Sequence, residues 1–191
     1  VSERKYARRT RGADSSPGES RPTDEQDPAA KAREICYRLL TARSRTRQEL
    51  EEALRRKEIP DDIAQTVLAK FTAIGLIDDE AFAESWVRSR HAYQGLGRRA
   101  LATELRRKGV DDAVVAEAIA AVDGDAEEDR ARQLVRKKLG AMAGLDDQVR
   151  IRRLVGMLAR KGYSEGMAFR VVRSELAALG SDASALDIIP D

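Results

Sequence analysis

The chain of 191 residues is 42% hydrophobic, 36% charged and only 4% aromatic, with a formal net charge of +2; that balance favours small Leu-, Ala- and Val-rich helix contacts over a large β core. One cysteine and one histidine exclude an intrachain disulfide and a zinc site built from soft ligands. No apolar run approaches the roughly 18 residues of a membrane span, and no nucleophile, paired-carboxylate or phosphate-loop constellation is present, so neither an enzyme nor a cofactor is expected.

Residues 1–29 read as a disordered tail, rich in Arg, Ser, Pro, Asp and Glu with almost nothing to bury. The leading bases Arg4, Lys5, Arg8, Arg9 and Arg11 are not followed by the apolar core of a secretory signal, and a cytoplasmic protein is expected. The first predicted helix covers about Ala32 to Ala42, with Ile35, Leu39 and Ala42 on one face. The second opens on Thr46-Arg47-Gln48-Glu49, a capping box in which both side chains satisfy exposed N–H groups, and runs to about Lys57. A third starts near Pro60 and carries Ile63, Val67 and Ile74.

The plan then repeats. Asp78-Asp79-Glu80 favour the positive end of a helix dipole and open a helix through Phe82, Trp86 and Val87 to about Tyr93. Gly95 and Gly97 break it; Leu101 and Leu105 mark the next helix, and Val114, Ala118 and Ile119 the one after, with Asp111 as its cap. The last set carries Leu134, Val135 and Leu139, then Leu154 and Leu158, then Met167, Val171 and Val172, with Ser164 in the cap column of Asp111. An all-α fold of three tandem three-helix repeats forming an elongated, curved array follows, with repeats at 30–76, 77–123 and 124–179 and a loose acidic tail at 180–191.

The repeats share a short pattern at the end of each second helix. Leu50 to Ile59 returns as Leu101 to Val110, 51 residues later, and as Leu154 to Tyr163 after 53 more. Each copy holds a Leu pair four apart, a basic cluster and an apolar closing residue. The leucines belong to the core. The clusters Arg55-Arg56-Lys57, Arg106-Arg107-Lys108 and Arg160-Lys161 exceed what the helix dipole requires, since a cation there gains only about 0.3–1 kcal/mol. Two readings stay open at this point: a periodic basic row that meets a polyanion or protein filament, or capping and solubility.

Further bases strengthen the first reading. Arg88, Arg90, Arg98 and Arg99 bracket the link Gln94-Gly95-Leu96-Gly97, and Arg136-Lys137-Lys138 with Arg150, Arg152 and Arg153 follow in the last unit. Arg suits forked contacts to phosphate or carboxylate. Residues 130–161 hold ten bases against two acids, whereas 111–129 hold eight acids and no base, a segregation that creates charged faces on a nearly neutral chain. Trp86 with Phe82 reads as core packing, His91 as an ordinary polar residue and Cys36 as a small apolar one.

The run from Gly75-Leu76-Ile77-Asp78-Asp79-Glu80-Ala81-Phe82-Ala83 through Trp86-Val87-Arg88-Ser89-Arg90, with Gly97-Arg98-Arg99-Ala100-Leu101 and Glu104 to Val110 after it, resembles the RecX family of bacterial regulators of the RecA recombinase. The resemblance covers about Lys31 to Leu179. It implies three three-helix repeats, binding to RecA and in the groove of the RecA–single-stranded DNA filament, and inhibition of ATP hydrolysis, strand exchange and coprotease action. It implies that Arg88, Arg90, Arg98, Arg99, Arg106, Arg107 and Lys108, with Arg160 and Lys161, meet the filament; Arg136, Lys137, Lys138, Arg152 and Arg153 join them as candidates by charge. A monomer without membrane contact is expected, and direct DNA binding by the same row is the alternative. The third copy departs from the pattern at Ala159, where the others have Arg.

Overall fold

The computed structural model describes residues 27–180, so the tails expected at 1–29 and 180–191 lie almost wholly outside the described residues. Nine α-helices and no strand are found among them: α1 Pro28–Ala42, α2 Arg47–Arg55, α3 Asp61–Ala73, α4 Asp79–Ser89, α5 Arg98–Arg107, α6 Asp112–Ala120, α7 Gly124–Leu139, α8 Asp147–Arg160 and α9 Glu165–Ala178. Local chemistry sets their starts. Asp78, Asp111, Asp146 and Ser164 each accept a backbone N–H one turn into α4, α6, α8 and α9. Thr46 does the same for Glu49 at 3.2 Å, but the Glu49 carboxylate does not complete the expected reciprocal box. It binds Arg43 and Lys108 instead, because two cations outbid one backbone N–H.

Each set of three helices closes its own core, the third helix packing against both others. The first core gathers Ala32, Ile35, Leu50, Leu54, Val67, Leu68, Phe71 and Ile77. The second gathers Phe82, Val87, Leu101, Leu105, Val115 and Val122, and the third Ala131, Val135, Leu154, Leu158, Tyr163, Val171 and Leu176. All six leucines of the repeated pair are fully buried, each contributing about 1.5–3 kcal/mol of burial. Ile74 departs from expectation: it follows the last turn of α3 and is 65% exposed, while Phe71 and Leu68 take the inward positions. On α6 the buried face is Val115 and Ala118, and Val114 and Ile119 sit at its margin.

The second helix of each repeat ends in the same turn. Ile59, Val110 and Tyr163 donate their N–H to Leu54, Leu105 and Leu158 at 3.2, 3.2 and 3.1 Å. The residue before each is left-handed: Glu58 at φ 57°, Gly109 at 76° and Gly162 at 86°. In repeats two and three this turn is also the joint. Lys161 O and Gly162 O accept from Gly97 N and Arg99 N at 2.8 and 3.2 Å, so the last turn of α8 caps the first turn of α5. One joint earlier, Lys108 O accepts from Thr46 Oγ1 at 2.6 Å at the start of α2.

An acid from the next repeat completes each joint in the same way. Asp79 at the start of α4 accepts from Arg47 N at 2.9 Å, and Glu127 in the first turn of α7 accepts from Arg98 N at 2.8 Å. Glycine is required at both turns. A Cβ on Gly109 would lie 1.7 Å from Gln48, and one on Gly162 would lie 2.2 Å from the backbone nitrogen of Ala100. The turn that ends α8 therefore supplies acceptors to the start of α5, and the turn that ends α5 supplies one to the Thr46 hydroxyl at the start of α2.

Candidate functional site

The joint between repeats two and three brings equivalent arginines of the two repeats to one groove. Along α5, Arg99, Thr103 and Arg107 are spaced four apart and share a face; 53 residues later Arg152, Gly156 and Arg160 do the same on α8. Within each helix the two guanidinium groups stand about 12 Å apart along the axis. All four arginines are exposed, and none of their side chains makes a hydrogen bond or ion pair among the described residues. In repeat one the column reads Gln48, Glu52 and Arg56, so the row loses a cation at Gln48 and gains an acid at Glu52, which accepts from Gln48 at 3.2 Å.

Two shallow grooves flank the row. The first, about 700 Å³, crosses the joint between repeats two and three and brings together Arg99, Arg107 and Arg160 over Leu96, Val155 and Tyr163. The second, about 410 Å³, lies within repeat three and is lined by Lys138, Met142, Arg152, Arg153, Met157 and Arg160. Arg160 belongs to both, so the grooves share a wall. Glu104 and Glu165 are the carboxylates of the first groove, and the second has none.

Four of the expected cations serve the protein itself. Lys108 binds Glu49 at 2.8 Å and lies 4.2 Å from the Trp86 ring centre, with its side chain only 18% exposed. Arg90 also lies 4.2 Å from that ring centre and approaches Glu104 at 3.4 Å, while the Trp86 indole donates to Glu104 at 2.8 Å. Arg98 pairs with Glu127 at 3.4 Å and donates to the carbonyl of Val122. Lys161 donates to the Gln94 carbonyl at 2.6 Å. Trp86 thus packs on the second core, stacked on Phe82 at 5.6 Å as expected, while its half-buried ring also meets polar partners.

The remaining candidates sort by partner. Arg106 pairs with Asp112 at 2.7 Å, and Arg136 pairs with the buried carboxylate of Glu175 at 2.7 Å, which raises the Arg136 pKa further. Arg88, Lys137, Lys138 and Arg153 are exposed and their side chains have no ion pair among the described residues. Ala159 aligns with Arg106, an arginine already tied to its own repeat, so the departure in the third copy leaves the unpaired column intact. Sequence reasoning missed Glu127 at the second joint and Met142 and Met157 in the second groove, and gave Asp79 and Glu49 helix-start roles without their contacts across the first joint. The 53-residue offset of Arg99 to Arg152 was the available signal for the row.

Burial and these contacts shift several pKa values. Burial pushes the Glu49 carboxyl up, but its bonds to Arg43 and Lys108 outweigh this and hold it below its ordinary value. Burial pushes Asp79 up, aided by Asp78 and Glu49 and opposed by Arg47. Burial also takes the Tyr163 hydroxyl, which donates to Gly95 O at 3.1 Å, to about 12, and the Cys36 thiol to about 11. His91 lies within the π-turn Arg90–Gln94, faces the Leu96 carbonyl at 2.9 Å and has a structural place. Among the described residues no group of three His, Cys, Asp or Glu could hold a metal, and no helix is long and apolar enough to cross a membrane.

The three units match three family models: the first three-helix domain of RecX at residues 32–71, the second at 78–119 and the third at 125–172. The chain belongs to the RecX family. A Regulatory protein RecX of Streptomyces coelicolor is 54% identical over 175 residues, covering 92% of this chain and 93% of that one. A Regulatory protein RecX of Mycolicibacterium vanbaalenii is 57% identical over 152 residues, covering 76% and 83%. The crystal structure of RecX from Lactobacillus salivarius superimposes with a TM-score of 0.73 at 23% identity over 78% of this chain and 97% of that one, a likeness of fold. In this RecX chain the joints fall between the matched domains, and the unpaired arginine row runs from the third domain into the second.

Proposed function

We propose that this RecX chain is a non-enzymatic inhibitor of the RecA recombinase, acting as a monomer in the cytoplasm during homologous recombination, DNA repair and the SOS response. It binds RecA and lies in the groove of the RecA–single-stranded DNA filament, where it suppresses ATP hydrolysis, strand exchange and coprotease activity. The observation that supports this reading is the row Arg152, Arg160, Arg99 and Arg107. Four guanidinium groups without side-chain partners among the described residues recur at equivalent positions of two repeats and line two grooves that share Arg160, a repetition suited to a partner that is itself periodic. A body that grips several protomers favours one arrangement of them and opposes the rearrangement that nucleotide turnover needs.

A second reading has support in the same row. Unpaired arginines also suit phosphate, so the row could hold single-stranded DNA directly and act by competition for the strand. A binding titration against naked DNA, purified RecA and the filament, each at low and high salt, separates the two. Filament binding far tighter than DNA binding, with a shallow salt slope, supports the proposal. Equal affinity for naked DNA, falling with a log–log slope of about −0.7 per phosphate neutralised, favours the alternative.

A further inference from the structure

We infer that the groove of repeat three lined by Lys138, Met142, Arg152, Arg153, Met157 and Arg160 receives an acidic, amphipathic protein segment: one apolar side chain seated on the two methionines, with flanking carboxylates on the four cations. The inference rests on the proposed function, because it assigns a chemistry to the partner contact of that same face. The groove is about 410 Å³, room for one or two side chains but not for a folded element. Its floor is thioether and its rim is cationic.

Charge complementarity selects the occupant. Lys138, Arg152, Arg153 and Arg160 are all exposed, none makes an ion pair among the described residues, and no carboxylate lines the groove. Elsewhere on the same repeat, acids do meet bases: Arg132 and Arg170 pair with Glu128, Arg136 with Glu175 and Arg150 with Asp147. Among the described residues carboxylates are therefore missing from this groove in particular, and an acidic ligand would supply them. The floor decides between classes of acid. Single-stranded nucleic acid is held by aromatic platforms on which bases stack, and no aromatic residue lines this groove. Met142 and Met157 are partly buried members of the third core, and unbranched thioethers adapt to an aliphatic or aromatic side chain.

The test uses the three methionines of the chain, Met142, Met157 and Met167. The full chain is produced with photo-methionine, loaded on the RecA–single-stranded DNA filament and irradiated. The expected result is a cross-link to protein, at a peptide with Asp or Glu beside the linked residue. It should be lost when Met142→Leu and Met157→Leu remove the photoreactive groups while keeping the apolar volume. A parallel titration uses a fluorescent synthetic helix of Glu and Leu, its Gln analogue and an oligothymidylate. The Glu–Leu probe should bind best, and Met157→Ser should weaken it about tenfold, the scale of one buried side chain lost, without altering oligothymidylate binding. Cross-links to DNA, cross-links that persist without Met142 and Met157, or a probe insensitive to Met157→Ser would overturn the inference. If the chain does not bind the filament but the Glu–Leu probe behaves as stated, the RecA reading fails and the groove assignment stands.

Discussion

The backbone N–H of Arg99 donates to the carbonyl of Gly162 at 3.2 Å, joining the start of α5 to the turn that ends α8. The contact joins two helices whose exposed arginines line the adjoining grooves. The geometry of the joint thus controls the spacing of the candidate site, and its weak points can be tested separately from the charges.

Gly162→Ala places a methyl 2.2 Å from the Ala100 nitrogen at a φ of 86°. The expected cost is at least ~2 kcal/mol, from left-handed strain and a backbone clash together. Gly75→Ala is the control: its φ is 73° but nothing lies within 4 Å, so only strain of about 1 kcal/mol is expected. Urea denaturation of both variants checks the difference; equal losses would mean that the joint carries no tight packing.

Glu58 holds the same left-handed place at φ 57° in repeat one, which has no preceding repeat among the described residues to dock against it. Glu58→Gly relieves the strain and should stabilise the protein by about 0.5–1 kcal/mol, net of the added chain entropy of glycine. A denaturant midpoint shifted downward would show that the Glu58 side chain contributes more than its backbone costs.

The first joint should respond to acid. Glu49 has its folded pKa below the ordinary 4.5, so its pairing with Arg43 and Lys108 is fully present above that value and is lost as pH falls through the folded pKa. Asp79 has the opposite sign: raised above 3.8, it binds its proton more tightly in the folded state and adds stability as pH falls. Stability measured from pH 7 to 3 by the fluorescence of Trp86, the single tryptophan, should fall less in Glu49→Gln and more in Asp79→Asn than in the parent chain.

Neighbouring arginines should differ in weight. Arg106 is tied to Asp112 at 2.7 Å whereas the Arg107 side chain has no partner among the described residues and lines the groove of the second joint. Arg107→Ala should weaken filament binding about 3–10-fold, the scale of one charge-assisted contact, and Arg106→Ala should change it little. Fluorescence anisotropy on a labelled filament reads both.

The helices and their cores were legible because a Leu pair four apart can serve only a buried face, and because Asp111 and Ser164 mark helix starts by their own chemistry. Ile74 was misplaced since periodicity continues through a sequence after the helix has stopped at Ala73. Glu49 was misread for a related reason: the capping box is a local pattern, and Lys108, 59 residues away, competes for the carboxylate. The joints escaped notice because their donors and acceptors are mostly backbone atoms, which every residue carries. Only Gly109 and Gly162 hinted at them, and a glycine after a helix is ordinary. Charge alone grouped Lys108 with Arg107, though one lies inside a joint and the other outside it.

The central claim concerns the unpaired row, and reversal of its charge tests it most directly. The variant Arg99→Glu, Arg107→Glu, Arg152→Glu and Arg160→Glu removes no side-chain hydrogen bond or ion pair among the described residues, so its far-UV circular dichroism should match the parent. Its inhibition of ATP hydrolysis by RecA on single-stranded DNA should be abolished at concentrations where the parent inhibits fully. Full inhibition by the folded variant would contradict the account.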